Sequence, residues 1–240
     1  MATAIITGAS RGFGRALAAD LLDDGWQVVI DARNADDLHV TAAQLTSNHP
    51  NGTLVALAGS VGDEWHRNAL ISAADELGGI DLLVNNASLL GPSPQPALAD
   101  YPLDVFAEVY AVNAIAPLAL TQLALPALRR SHGTIVNITS DASVEAYEGW
   151  GGYGSSKAAL DHWTRILANE EPTVHVYVFD PGDMRTQMHQ EAFPGEDISD
   201  RPLPETVVPA LRRLLAVRPA SGRHRASDFA NPDDLAGVGR

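Results

Sequence analysis

"TAIITGASRGFGRALAADLLDDG", residues 3–25, places a short apolar run, a glycine-rich turn and an amphipathic stretch in immediate succession. The run TAIIT (3–7) is contiguous rather than alternating, which is typical of a strand buried on both faces of a sheet. The leucines of GRALAADLLDD (14–24) fall on one face of a helix, and Gly25 follows as a C-terminal stop. A strand, a tight turn and a helix in this order predict the opening unit of an α/β fold.

The same alternation continues along the chain. Five further apolar runs predict strands, namely QVVIDA (27–32), TLVALA (53–58), DLLVNN (81–86), GTIVNIT (133–139) and VHVYVF (174–179). Helical stretches lie at 64–79 and 103–130, and SGRHRAS (221–227) is expected to form a short last strand. Strand alternating with helix makes a parallel sheet with helices on both faces. The sequence therefore predicts a single doubly wound α/β domain over residues 1–240, with about seven strands.

Composition excludes several classes of function. The formal net charge is −14 over 240 residues, and so acidic a surface repels nucleic acid and anionic lipid. The absence of cysteine excludes disulfides and thiolate metal sites and is compatible with a reducing cytoplasm. The eight histidines lack metal-ligand spacing, the strand at 3–7 leaves no room for a signal peptide, and no apolar run looks long enough to span a membrane. We therefore expect a cytoplasmic protein that binds no metal, nucleic acid or membrane.

The glycine-rich turn TGASRGFG (7–14) is suited to a pyrophosphate. Gly8, Gly12 and Gly14 let the backbone turn tightly and approach a ligand closely. The helix that follows aims free N–H groups and the positive end of its dipole at the turn. A plain glycine-rich turn has the same composition, but the position between a strand and a helix favours a nucleotide site.

The stretch YGSSK (153–157) holds the only lysine of the chain, and the other fifteen basic side chains are arginines. On a helix Lys157 lies beside Tyr153, so its charge is expected to lower the pKa of a phenol whose reference value is about 10. An ammonium is compact enough to contact the phenol and to donate hydrogen bonds to ribose hydroxyls at the same time. A planar guanidinium cannot make both contacts. An accidental pair on an exposed helix face is the alternative.

The glycine spacing, NNA at 85–87 and Tyr-x-x-x-Lys at 153–157 together resemble the short-chain dehydrogenase/reductases, in their compact single-domain subgroup. The resemblance covers about residues 3–227 and implies a Rossmann-type fold, an NAD(P) cofactor and hydride transfer between its nicotinamide and a carbonyl or alcohol carbon. It also implies a homodimer or homotetramer with a small-molecule substrate. The expected cofactor-binding residues are Gly8, Ser10, Arg11, Gly12, Phe13, Gly14, Arg33, Asn86, Ala87, Tyr153, Lys157, Pro181, Gly182 and Thr186.

The resemblance also assigns catalytic roles. Ser140, at the end of the fifth strand, would hold the substrate oxygen, although a cap role would suit a serine there equally well. Tyr153 would be the acid in reduction and the base in the reverse reaction, and Lys157 would lower its pKa and hold the ribose. Asn113 would tie a water to the lysine, because Pro117 cannot donate to its carbonyl and the helix should kink there.

Two further stretches bear on the cofactor. In DPGDMRT (180–186), Pro181 and Gly182 would turn the chain under the nicotinamide, and Thr186 would bond its carboxamide, as the resemblance implies. After the second strand, the family's NAD-selecting acid usually directly precedes Arg33, and that position is Ala32 here.

The cofactor is therefore expected to be NADP. Arg33 and Arg11 can grip its 2′-phosphate with charge-assisted hydrogen bonds. The alternative is NAD, which would follow if Arg33 were solvated and Asp31 turned inward. NADPH-dependent ketone reduction is accordingly the favoured activity. An NAD-dependent alcohol dehydrogenase and a non-catalytic dinucleotide-sensing module stay open, although a sensor needs no acid such as Tyr153.

Two positions depart from the family pattern. Ser88 replaces the glycine of NNAG, and Ser60 stands where an acid usually contacts adenine.

Two groups of apolar side chains have two interpretations each. The first group either belongs to the core or lines a substrate pocket: Trp150, Met184, Met188 and Phe193. The second group either belongs to the core or forms a subunit contact: Leu160, Trp163 and Leu167. Residues 189–204 are expected to be a surface loop, with 187–204 acting as a substrate loop, and 231–240 a loose tail.

Overall fold

The computed structural model describes residues 1–229, and a seven-stranded sheet lies at its centre. The strands are β1 Thr3–Ile6, β2 Gln27–Ala32, β3 Thr53–Ala58, β4 Leu82–Asn85, β5 Thr134–Ile138, β6 His175–Asp180 and β7 Gly222–Arg225. All neighbours pair in parallel, in the order β3-β2-β1-β4-β5-β6-β7. The direction of winding reverses between β1 and β4, so the predicted doubly wound sheet is confirmed. The tail predicted at 231–240 lies outside the described residues.

Helices cover both faces of this sheet. They are α1 Gly12–Asp23, α2 Ala35–Asn48, α3 Glu64–Glu76, α4 Leu103–Tyr110, α5 Ala116–Ser131, α6 Gly151–Glu170, α7 Gln187–Ala192 and α8 Pro204–Val217. Ile6 and Ile30 point into the layer beneath α1 and α8, whereas Ile5 and Val29 point into the layer beneath α3 and α5. Both faces of each central strand are therefore buried, which explains the contiguous apolar runs.

The α6 stripe belongs to the second of these layers. Leu160 is 1% exposed, Leu167 is buried, and Trp163 packs partly buried against the same cluster. The stripe is thus part of the core in this chain, which favours the first of its two interpretations.

The helical stretch Leu103–Ser131 corrects one expectation from the sequence. It is helical throughout, and by length and mean hydropathy, 1.5 in its most apolar window, it is long and apolar enough to cross a membrane. However, 61% of that window is buried inside the protein, as in the core helix of a soluble domain. The kink predicted before Pro117 takes the form of a π-turn at Ala111–Ile115. This turn accommodates the loss of the backbone hydrogen bond that Pro117, which has no N–H, cannot donate.

The segment after β6 is more ordered than its composition predicts. The expected surface loop over 189–204 begins inside helix α7, so that prediction is wrong for its first four residues. The Thr186 hydroxyl caps this helix by accepting from the backbone N–H of His189 at 3.2 Å. A threonine at the capping position commonly marks the start of a helix. The proline, aspartate and glycine residues of this segment predicted a loop instead and obscured that signal.

Candidate active site

A cavity of about 1080 Å³ opens at the carboxyl ends of the central strands. This is the edge at which open α/β sheets bind ligands. All but two of the predicted site residues line it: Gly8, Ser10, Arg11, Gly12, Phe13, Arg33, Asn86, Ala87, Ser140, Tyr153, Lys157, Pro181, Gly182 and Thr186. The exceptions are Gly14 and Asn113, which lie behind the residues that line the cavity. In the described part of the chain, no three histidine, aspartate or glutamate side chains form a metal-binding group.

The glycine turn is held against the NNA stretch. Gly8 has φ +66°, and a Cβ there would lie 2.7 Å from the Cα of Ala87. A Cβ on Gly14 would lie 2.5 Å from Nδ2 of Asn86. That nitrogen donates to the carbonyl oxygens of Thr7 at 2.8 Å and Gly8 at 3.0 Å. Gly14 therefore serves close packing rather than ligand contact, and Asn86 braces the turn.

Helix α1 begins directly behind this turn without a side-chain cap. Arg11 occupies the capping position and makes no capping hydrogen bond, so the first N–H groups of the helix keep their capacity for an anion. The Phe13 side chain is buried and stacks on Phe179 with ring centroids 6.2 Å apart. Because the side chain is packed in the core, only the backbone N–H of Phe13 can make the predicted contact with a cofactor phosphate.

The carboxylate of Asp31 turns inward and is 1% exposed. Its Oδ1 accepts from the backbone N–H of Gly8 at 2.7 Å, and its Oδ2 lies 2.9 Å from Nε2 of His66. Both oxygens are thus engaged in bracing the glycine turn, a role that the sequence did not reveal. Arg33, by contrast, is exposed, lines the cavity and makes no ion pair or hydrogen bond within residues 1–229.

Lys157 lies deep in the site. Its side chain is 2% exposed, and Nζ donates to the carbonyl of Ile138 at 2.8 Å. Burial lowers the pKa of Lys157 to about 8, and the nearby charge of Asp161 opposes that shift. The ammonium stands 5.6 Å from the ring centroid of Tyr153, so the pair predicted from the spacing is present.

The phenol of Tyr153 departs from expectation in its acidity. Burial raises its pKa above the ordinary value, and a hydrogen bond with the Ser88 side chain acts in the opposite direction, as does a weaker one with Ser140. The charges of Asp180 and Asp141 raise the pKa further. The predicted net lowering of the Tyr153 pKa is therefore wrong, because burial, which disfavours the phenolate, has the largest effect.

Ser140 has two contacts that match its two interpretations. Its Oγ accepts from the backbone N–H of Ala142 at 3.2 Å and donates to Oδ1 of Asp141 at 2.8 Å, which caps the single turn after β5. The same side chain lowers the pKa of the Tyr153 phenol. The cap role of Ser140 is thus present, and its contact with the substrate stays a prediction.

Asn113 sits in the π-turn and is fully buried. Its Oδ1 accepts from the backbone N–H of Leu89 at 2.7 Å and from the Ser88 hydroxyl at 3.2 Å. Its Nδ2 donates to the Leu89 carbonyl at 2.9 Å and to Ser156 Oγ at 3.0 Å. The side chain therefore reaches the phenol through Ser88, a link that the sequence did not indicate. The water relay to the lysine stays a prediction.

Aromatic rings form the wall beside the phenol. The Trp150 ring meets Tyr153 edge-on at 5.8 Å and Phe193 at 5.7 Å, and Phe193 lies 4.9 Å from the ring of His189. Met184 and Met188 also line this side of the cavity, so the pocket interpretation is favoured for four side chains that the sequence left open: Trp150, Met184, Met188 and Phe193.

Comparison with known proteins shows related sequences over most of the chain. The family model for short chain dehydrogenases matches residues 2–197. Sepiapterin reductase of Mus musculus is 38% identical over 202 residues, which cover 80% of this chain and 77% of that protein. Benzil reductase ((S)-benzoin forming) of Bacillus subtilis (strain 168) is 36% identical over 192 residues, covering 77% and 75%.

Solved structures resemble the fold over nearly its full length. An alcohol dehydrogenase from the archaeon Thermococcus sibiricus, complexed with 5-hydroxy-NADP, has a TM-score of 0.84 at 27% identity and covers 97% of this chain and 99% of its own. A short chain dehydrogenase from Escherichia coli CFT073, complexed with NADPH, has a TM-score of 0.85 at 26% identity and covers 94% and 96%.

Proposed function

This chain belongs to the short-chain dehydrogenase/reductase family, and on that basis we propose that it reduces ketones that carry an aromatic ring, with NADPH as the hydride donor. The observation that carries the substrate class is the wall of rings around Trp150, which adjoins the candidate acid Tyr153. Ring edges and faces bind other aromatic rings more strongly than aliphatic groups of similar size. Benzil, the compound for which one relative is named, is a 1,2-diketone with a phenyl ring on each carbonyl carbon.

The cofactor fits the glycine turn and the cations beside it. Gly8 allows the turn to pack against Ala87, where a Cβ would clash, and the uncapped start of α1 offers N–H groups to a pyrophosphate. Arg33 and Arg11 would hold the 2′-phosphate of NADP. Both conditions of the NAD alternative are present, since Arg33 is exposed and Asp31 turns inward, but both oxygens of that carboxylate are engaged with Gly8 and His66 and are not available to the ribose.

The chemistry needs a hydride and a proton. When bound, NADPH supplies the hydride to the carbonyl carbon. Ser140 holds the carbonyl oxygen, and the phenol of Tyr153 donates its proton to that oxygen as the charge develops. The phenol is protonated at neutral pH, as proton donation in reduction requires. The ammonium of Lys157 stabilises the phenolate that remains, until solvent returns a proton.

The proposal is tested by following NADPH and NADH absorbance with benzil, acetophenone and cyclohexyl methyl ketone, the last being acetophenone with a saturated ring. We expect kcat/KM for acetophenone to exceed that for the saturated ketone about tenfold, as edge contacts between rings predict. NADPH is expected to be preferred over NADH. Tight NADPH binding without turnover of any ketone would instead identify a dinucleotide sensor.

Arg33→Ala is expected to raise the KM for NADPH about tenfold and to leave the KM for NADH unchanged, because only NADPH carries the 2′-phosphate. Initial rates at varied cofactor concentration measure both constants. Arg15→Ala is the matched control, since Arg15 is exposed on α1 and bonds Gln44 outside the cavity. Equal loss with both cofactors would show that Arg33 does not read the phosphate.

Ser88→Ala is expected to lower kcat/KM about three- to tenfold in both directions, because the Ser88 side chain lowers the pKa of the phenol and the substitution leaves the equilibrium constant unchanged. Ser88→Gly removes the Cβ as well and separates hydroxyl loss from a change of shape. Rates in both directions, measured with one alcohol–ketone pair, give the comparison. Identical oxidation rates in wild type and Ser88→Ala would contradict the contact with Tyr153.

We further propose a cytoplasmic homo-oligomer. Two exposed apolar side chains support this proposal, one at the start of α4 and one in the π-turn before α5: Leu103 is 79% exposed and Ile115 is 61% exposed. Large apolar side chains on a surface occur at subunit contacts. Sedimentation at two protein concentrations tests the assembly.

A further inference from the structure

Arg223 of the last strand reaches across the carboxyl ends of its neighbours. Its Nη2 donates to the backbone carbonyl of Ser140 and to Oδ2 of Asp180, each at 3.0 Å. Its Nε donates to Oδ2 of Asp161 at 3.1 Å, and that carboxylate also accepts from the Ser143 hydroxyl at 2.6 Å. One guanidinium therefore joins β5, β6 and α6, and each of these elements carries part of the active site.

The charged side chains of this cluster are largely buried, and their opposite charges compensate one another. The side chains of Asp161 and Asp180 are each 6% exposed, and that of Arg223 is 18% exposed. Among residues 1–229, Arg223 is the only basic side chain that forms an ion pair with either carboxylate. Buried carboxylates without a cation are strongly unfavourable, so the guanidinium compensates two of them at once.

Each carboxylate also acts on a catalytic group. Asp161 lies one turn beyond Lys157 on α6, and its charge favours the ammonium. The charge of Asp180 disfavours ionisation of Tyr153. The charged and titratable groups that act on Lys157 and Tyr153, or bond those that do, come from four elements: Tyr153 and Asp161 on α6, Asp180 on β6, Asp141 after β5, and Arg223 on β7.

We propose that Arg223 is a positioning residue, which fixes the backbone of Ser140 and screens the carboxylates of Asp161 and Asp180 from Lys157 and Tyr153. Its effect on turnover rests on the proposed ketone reduction, whereas its effect on the titration of Lys157 does not. The two consequences are therefore measured separately.

The single lysine makes that titration direct. Protein labelled with ¹³C at the lysine Cε gives one lysine signal, that of Lys157. In wild type we expect it to titrate at about 8. Arg223→Gln should move the midpoint up by about one pH unit, because Asp161 then acts unscreened, and Asp161→Asn should move it down by about as much. The double variant should return close to the wild-type midpoint.

Arg130→Gln is the matched control, because it removes one exposed cation at the end of α5 that forms no hydrogen bond or ion pair with the cluster among residues 1–229. Its lysine midpoint should stay close to wild type. An Arg223→Gln protein that folds and keeps the wild-type midpoint would overturn the proposal. Should that variant not fold, Asp161→Asn decides alone, and an unshifted midpoint in that protein overturns the proposal equally.

Turnover supplies the second readout. Arg223→Gln is expected to lower kcat for ketone reduction about tenfold, the size of one lost hydrogen bond to a group that must stay in place. The Kd for NADPH should not change, since Arg223 does not line the cavity. Absence of ketone reduction in wild type would refute the proposed function while the lysine titration still tested Arg223.

Discussion

Tyr153→Phe is expected to lower kcat/KM for ketone reduction about 10³-fold, because the proposed proton donor to the substrate oxygen is removed. The ring remains, so its contact with Trp150 at 5.8 Å and the packing of α6 are kept. We therefore expect the Kd for NADPH and the thermal unfolding midpoint to stay near wild type. Stopped-flow reduction with saturating NADPH and fluorescence titration of the cofactor measure the two effects.

Tyr147→Phe is the control for this substitution. Tyr147 lines the same cavity, is about half exposed, and donates its hydroxyl to Asp141 at 2.9 Å. Loss of that hydroxyl should change kcat/KM less than about threefold, as for an exposed hydrogen bond. If Tyr147→Phe lost as much activity as Tyr153→Phe, or if Tyr153→Phe lost none, the assigned proton donor would be wrong.

Lys157→Met is expected to lower kcat/KM about 10²- to 10³-fold and to remove the decline of activity at alkaline pH. The pKa of Lys157 is depressed to about 8, so the side chain is charged below that pH and neutral above it. Reduction by wild type should therefore fall as pH rises through about 8. The phenol, whose pKa burial raises, stays protonated over that range and does not cause the decline.

The measurement is kcat/KM from pH 6 to pH 10 in both proteins. A wild-type rate that stays flat across this range would contradict the role of the ammonium, as would a decline that persists in Lys157→Met. Lys157→Arg keeps the charge in a planar head that cannot replace the compact donor. It should abolish the pH dependence and still leave activity well below wild type.

The sequence predicted the sheet and the location of the site because both depend on local signals. Contiguous apolar runs mark strands that are buried on both faces, and the glycine turn and the tyrosine–lysine pair act over a few residues. The strands β2 and β3 were placed with their observed bounds. The seventh strand was placed from a short polar stretch, within one or two residues at each end.

The features that were missed depend on distant parts of the chain. Arg223 meets Asp161 across 62 residues and Asp180 across 43, and neither separation leaves a periodic signal. The acidity of Tyr153 was misjudged for a related reason. Spacing shows that a cation lies nearby, but the degree of burial, which dominates the pKa, depends on the whole fold.

The inward carboxylate of Asp31 has a practical consequence for coenzyme engineering. A designer who wants NADH as a cheaper reductant would look first to an acid at the end of the second strand, and Asp31 is the only one in that strand. Its oxygens anchor the phosphate turn, so altering it would loosen the grip on either dinucleotide. A redesign would do better to leave it untouched and to introduce the new acid at Ala32, together with loss of the guanidinium at Arg33.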